Sequence, residues 1–173
     1  MKKMYFLFFG VAMLLQSCWY TVDDDGPQVV DPYHIAYEPI TQTRADFEET
    51  IKLMPSRPVQ NAGKIYIKDA MMYINEKQEG FHVFDNTNPE DPQSLAFISI
   101  PGSTDLAIRG TVMYSHHLID LVAFRYERGA GELQLLHREQ HAFPAMISPE
   151  GLSPENYGVE EELIVVGYKL KED

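Results

Sequence analysis

Cysteine is almost absent from this chain: Cys18 is the single thiol among 173 residues. One thiol cannot close an internal disulfide, and it excludes any multi-cysteine zinc or iron–sulfur site. Stability must therefore come from packing. Basic residues are scarce too, with 14 Lys and Arg against 26 Asp and Glu and a formal net charge of −12. Phosphate backbones and anionic lipid surfaces are held by clustered Lys and Arg, so neither a nucleic-acid partner nor electrostatic docking on a membrane is expected. The apolar run Met4–Leu15 falls short of the roughly 20 residues that a membrane-spanning helix needs. No serine sits in a G-x-S-x-G frame, and no glycine-rich phosphate cradle is present.

What is present is apolar and aromatic. Hydrophobic residues make up 45% of the chain, with 10 Tyr and 9 Phe, enough for a packed core and weighted toward β structure.

The N-terminus reads as an export signal. Met1-Lys2-Lys3 is a short basic start, and the run Met4–Leu15 has the length of a signal-peptide core, roughly 7–15 residues. Leu15-Gln16-Ser17-Cys18 follows and resembles the bacterial lipobox. The thiol of Cys18 would accept a diacylglyceryl thioether, small Ser17 would admit the peptidase, and Leu15 would fill an apolar pocket. Gln16 departs from the usual small or β-branched residue. The expected products are a signal peptide, residues 1–17, cut between Ser17 and Cys18, and a chain held in a membrane by its acyl groups. Trp19 and Tyr20 suit the headgroup layer. Asp23-Asp24-Asp25 resembles the surface-export signal of Bacteroidetes-type lipoproteins, which implies an outer-membrane protein facing outward.

Residues 18–42 read as an acidic tether containing Pro27, Pro32 and Pro39. Thr43 caps one short N-terminal helix whose Phe47, Ile51 and Met54 share a face, with Pro55 and Pro58 ending it. From residue 63 the period changes to alternation. Strands are expected at 64–68, 71–75, 81–85 and 94–100, joined by Gly, Pro, Asn and Asp turns. The pattern recurs at an offset of 41, where Ile67, Met72 and Tyr73 overlay Ile108, Met113 and Tyr114. After one deletion, residues 121–124 overlay 81–84, and residues 133–136 stand for a fourth strand. A unit of about 40 residues with four strands is the signature of a propeller blade. One further apolar strand is expected at 163–170.

Gly63-Lys64-Ile65-Tyr66-Ile67, Gly80-Phe81-His82-Val83-Phe84-Asp85 and Asn88-Pro89-Glu90-Asp91-Pro92 resemble the LVIVD-repeat lipoproteins of the Bacteroidetes type. The match is good over 63–100 and weaker over 104–138, where Arg125 replaces the Asp and Gly129-Ala130-Gly131 replaces the proline turn. The resemblance implies a propeller built of such blades in a surface or periplasmic lipoprotein. The expected fold is thus all-β: about two four-stranded propeller-type blades after one short helix, within residues 43–173. Closed propellers have roughly 4–8 blades, so the chain reads as the front part of a propeller. Exposed faces are expected at Ile65, Ile67, Phe97, Ile98, Val165 and Val166, with self-association or a partner chain to cover them.

Candidate chemistry is thin. His116-His117-x-x-Asp120 is the most metal-like cluster, but neighbours on a strand point to opposite faces. His137 and His141 lack the helical context that ligation at i, i+4 needs. Asp85-Asn86-Thr87-Asn88 offers oxygens but reads as an Asx turn. The pairs at Glu48-Glu49 and Glu160-Glu161-Glu162 read as solvated runs. No catalytic residue, metal ligand or cofactor is assigned. The expected role is a binding or structural module of the cell envelope, with a protein or glycan as the ligand class. The alternatives are part of an enzyme completed by missing blades or a partner, and a truncated product without function.

Overall fold

The computed structural model describes residues 35–172. The chain divides after Ile35, and the unit from Ala36 onward holds every element given below. Strands run β1 Tyr37–Thr43, β2 Lys52–Pro55, β3 Ala62–Lys68, β4 Met71–Glu76, β5 Gly80–Asp85, β6 Gln93–Ser99, β7 Ala107–Arg109, β8 Val112–His117, β9 Asp120–Glu127, β10 Glu132–Glu139 and β11 Leu163–Leu170. One helical turn, α1, spans Arg44–Glu48. The protein is all-β, with three antiparallel sheets. The first has the order β2-β6-β5-β4-β3, the second β10-β9-β8-β7, and the third joins β1 to β11. No described helix is long and apolar enough to cross a membrane.

Two local expectations are corrected. The helix stops at Glu48 instead of running to Met54, and Lys52–Pro55 forms an edge strand paired with β6. Ile51 and Leu53 are two apart and share one face of a strand, whereas Met54, three residues from Ile51, falls on the other. Pairing puts Leu53 opposite Ile98, inside, and Met54 on the outer face opposite Phe97. Residues 37–42, expected in the tether, pair with β11 across the whole length of the unit. Neither partner of that pair is visible to a local pattern.

The internal repeat is written into the backbone. Asp69 (φ 55°) and Gly110 (φ 61°) turn the hairpins β3–β4 and β7–β8. Gln78 (φ 63°) and Leu118 (φ 48°) turn β4–β5 and β8–β9. A bulge leaves Leu95 unpaired in β6 and Leu136 unpaired in β10, again 41 residues apart. Gly80 takes φ 147°, and a Cβ there would lie 2.0 Å from the Ile98 carbonyl oxygen, so in the first sheet this position is closed to larger residues, whereas its counterpart in the second is Asp120.

The sheets stack head to tail. Tyr73, Phe81, Val83 and Ile98 of the first sheet share one buried core with Met113, Val122 and Phe124 of the second. Burying each such side chain contributes about 1.5–3 kcal/mol. Direct pairing puts Tyr73 with Val83 on one face of the first sheet and Met72 with Phe84 on the other. In the second sheet Met113 pairs with Phe124. By the repeat offset, Met113 corresponds to Met72 and Phe124 to Phe84. The second sheet therefore packs with the face whose counterpart in the first sheet points away from the core. That outward face carries Ile65 and Ile67, 59% and 64% exposed. Phe97, Ile98 and Val165, expected at exposed sides, are buried. Phe97 lies under the Arg57 guanidinium, Ile98 lies in the core between the sheets, and Val165 belongs to the strand that pairs with β1.

Candidate functional site

Two polar clusters occupy equivalent ends of the two repeats. In the second sheet, His117 and Asp120 are a directly opposed pair, and both are fully buried. The Asp120 carboxylate accepts from Arg44 at 2.6 Å, from Arg138 at 2.7 Å and from the His141 backbone N–H at 3.1 Å. Thr50 Oγ1 donates to the Phe47 carbonyl at 2.7 Å, so at 2.8 Å from His117 Nε2 it is the acceptor. Nε2 thus carries the imidazole proton, and Nδ1 accepts from Arg138 at 3.0 Å. The ring stacks on Phe47 at 3.9 Å, 4° from parallel. Burial, then the charge of Arg138, push its pKa down to about 3 against the opposing pull of Asp120. His117 is a neutral structural link that fastens α1 to the second sheet.

In the first sheet the equivalent cluster is Glu76 with His82. Both side chains are buried, with His82 Nε2 donating to Glu76 at 2.8 Å. Backbone N–H groups of Gln60, at 3.0 Å, and Asn61 also donate to this carboxylate. Burial alone would raise its pKa, but the Gln60, His82 and Asn61 bonds outweigh burial and lower it. Arg57 lies 3.8 Å over the Phe97 ring beside them.

A third polar contact ties the sheets together. Asp105 accepts from Lys64 and Tyr66 of β3, both at 2.5 Å. Those two bonds, Lys64 first, hold its pKa down to about 2.

The other sequence candidates scatter. His116 faces away from His117 and meets the Phe143 ring edge-on at 5.7 Å. Exposed His137 lies 3.5 Å from Glu139, and His141 is 3.4 Å from Arg44. Asp85 accepts from the Thr87 N–H and hydroxyl, which is the Asx turn expected, and it also pairs with Arg128. No group of three metal-type side chains converges among the described residues. Ser17, Cys18, Asp23, Asp24 and Asp25 lie outside the described residues.

Sequence reasoning missed the buried Glu76–His82 pair. Its signal is a polar residue flanked by Phe81 and Val83 within an apolar strand. It also missed a groove where all three sheets meet. Gln42 of β1, Phe47 of α1, Gln78, Leu118 and Val166 of β11 line one lobe of about 270 Å³. A second lobe of about 260 Å³ shares Gln78, Gly102, Leu118 and Met146 with the first and adds Thr104 and His116. Gly102, at φ 80°, keeps the floor low, since a Cβ there would come within 2.6 Å of Leu118 Cδ2. The equivalent left-handed residues of the β4–β5 and β8–β9 turns, Gln78 and Leu118, thus open onto the same space.

The chain matches no protein-family model, no curated protein and no solved structure.

Proposed function

We propose that this is a lipid-anchored, outward-facing protein of the cell envelope, built of propeller-type blades and used for binding or scaffolding, not catalysis. The head-to-tail stacking carries the reading. The first and second sheets each contain a four-strand meander, β3-β4-β5-β6 and β7-β8-β9-β10, the first extended by β2, and the two meanders are related by one repeat, which is how blades follow one another around a propeller. The resemblance to LVIVD repeats supports the same architecture. The ionisable side chains best placed for chemistry, Asp120, His117, Glu76 and His82, are engaged with one another and with the N-terminal segment. Such saturation fits a scaffold. Loops on a rigid β frame are where such proteins bind.

The anchor rests on Leu15-Gln16-Ser17-Cys18, and outward export on Asp23-Asp24-Asp25. Replacing Cys18 with Ser should move the protein from the detergent phase to the aqueous phase. A Ser variant that still partitions with membranes contradicts the anchor. Protease applied to intact cells should remove the native protein, and alanine at the three aspartates should protect it. Equal resistance of the two forms contradicts surface exposure.

A further inference from the structure

The first and second sheets meet through unlike sides. Tyr73 and Val83 form a direct pair on the packed side of the first, and Met113 and Phe124 form one on the packed side of the second. Two sides are left over. On the first sheet it is the side of Met72 and Phe84, counterpart of the one that the second sheet buries. On the second it is the side of Tyr114 and Ala123, counterpart of the one that the first sheet buries. The leftover sides are thus the two halves of the contact already made between the sheets.

Both halves are open. Ile65 and Ile67 are exposed on the first, beside half-buried Met72, Ile74 and Phe84. Their counterparts in the second sheet, Leu106, Ile108, Met113 and Phe124 among them, all pack in the core. On the other half, Tyr114 pairs with Ala123 and with exposed Ala107. Neither Tyr114 nor Ala123 joins a hydrophobic cluster among the described residues, whereas Tyr73 and Val83 do. The N-terminal segment covers the same end of both sheets: residues 57–61 lie at Glu76 and Phe97, and residues 47–50 at His117. What it leaves bare on the first sheet is the area that, on the second, forms the contact between sheets.

Charge fits the same continuation. Lys64 donates to Asp105 across the sheets at 2.5 Å, and the two residues hold one repeat position, 41 apart. One further step of the repeat sets Asp105 of one copy against Lys64 of the next. The roles reverse and the charges stay opposite, where like charges would repel. Both side chains are more than half exposed, so each keeps a free side for that contact.

We infer that copies of this chain associate head to tail, the Met72 and Phe84 side of the first sheet in one copy packing on the Tyr114 and Ala123 side of the second sheet in the next. This rests on the blade reading and carries it from the chain to an assembly. A contact between unlike surfaces builds rings or filaments, in contrast to a two-fold dimer that sets Ile67 against Ile67.

The test uses the lipidated full chain in a density-matched detergent, where sedimentation equilibrium reads the mass of protein alone. The native chain should weigh as two copies or more. Ile67→Lys should be a monomer, since it places a charge in the apolar half. Tyr114→Lys should be a monomer too. If it melts early, Ala107→Lys, at an exposed position of the same side, takes its place. An equimolar mixture of the two single variants should form a one-to-one dimer and nothing larger, because each supplies the intact side that the other lacks. A mixture that stays monomeric overturns the inference. So does a Tyr114→Lys or Ala107→Lys variant that still dimerises by itself, which would mark a two-fold contact between first sheets. A native monomer with one cooperative melt overturns the inference and leaves the stacked sheets standing. A chain with no cooperative melt overturns the blade reading as well.

Discussion

The first and second sheets solve one problem with their residues exchanged. Glu76 and His117 are 41 residues apart, as are Phe97 and Arg138, so each pair fills the same place in its sheet. In the first sheet a buried acid at the end of β4 meets His82, and Arg57 covers the Phe97 ring. In the second a buried histidine ends β8, Asp120 supplies the acid, and Phe47 stacks on His117, with the guanidinium of Arg138 bonded to the same imidazole and 5.7 Å from the Phe47 ring. Acid, imidazole, guanidinium and aromatic ring recur in both, at swapped positions. The cover comes from one stretch of chain: residues 44–50 close the second cluster and residues 57–61 the first. A single segment thus fastens two successive sheets. The difference lies in charge balance. Glu76 is held by neutral donors and one histidine, whereas Asp120 compensates two guanidiniums.

That difference ranks the effects of mutation. Asp120→Ala should be the most damaging, because it leaves Arg138, 8% exposed at its side chain, with no buried counter-charge. A loss of about 3–5 kcal/mol is expected in denaturant unfolding. A loss under about 1 kcal/mol would mean the cluster behaves as a surface pair. Glu76→Gln should cost less, about 1–3 kcal/mol, since Gln keeps one acceptor for Gln60 and Asn61. If it proves as costly as Asp120→Ala, the two clusters are energetically alike and the contrast fails.

The pH dependence has the same sign for both clusters and separates them by window. The folded pKa of His117, about 3, is below its unfolded value. The unfolded chain takes up this proton first, so stability is full above about pH 6.5 and falls as pH drops toward 3. Arg138, Asp120, Arg44 and His116 set the local field. Glu76 is also depressed, so its contribution is lost only on acidification below the ordinary carboxylate range, near 4.5. Between about pH 6.5 and 4.5 the His117 contribution alone should appear, at up to ~1.4 kcal/mol per pH unit. His117→Gln should flatten that slope, and an unchanged slope would show that the imidazole is not buried neutral. The smallest effect is expected at Arg57→Ala, about 0.5–1 kcal/mol for a cation over a ring. Equilibrium unfolding that shows no loss would make Arg57 a bystander to Phe97.

Much of this frame is legible in the sequence, and the reasons are local. Strands β3 to β6 and β8 to β10 show themselves by period-2 alternation between turn formers, and β11 by an apolar run between acidic residues. The offset of 41 is legible for the same reason. Strands β1 and β2 are hidden because their partners, β11 and β6, are far along the chain. The sequence overstates the helix because Phe47, Ile51 and Met54 satisfy a helical period across a strand start. Of the polar clusters, His117 and Asp120 could be named, but their partners Arg44, Thr50 and Phe47 come from a segment about 70 residues away, by the spacing in the sequence. The groove needs all three sheets, and no single segment announces it.

The outward face of the first sheet is the counterpart of a face that the second sheet buries. Its exposed centre is Ile65 and Ile67 on β3. Multi-angle light scattering on the unit from Ala36 onward is the measurement that decides it. The expected mass is above that of the monomer, and Ile67→Lys should reduce it toward the monomer. A compact monomer that melts cooperatively and binds no hydrophobic dye would contradict it.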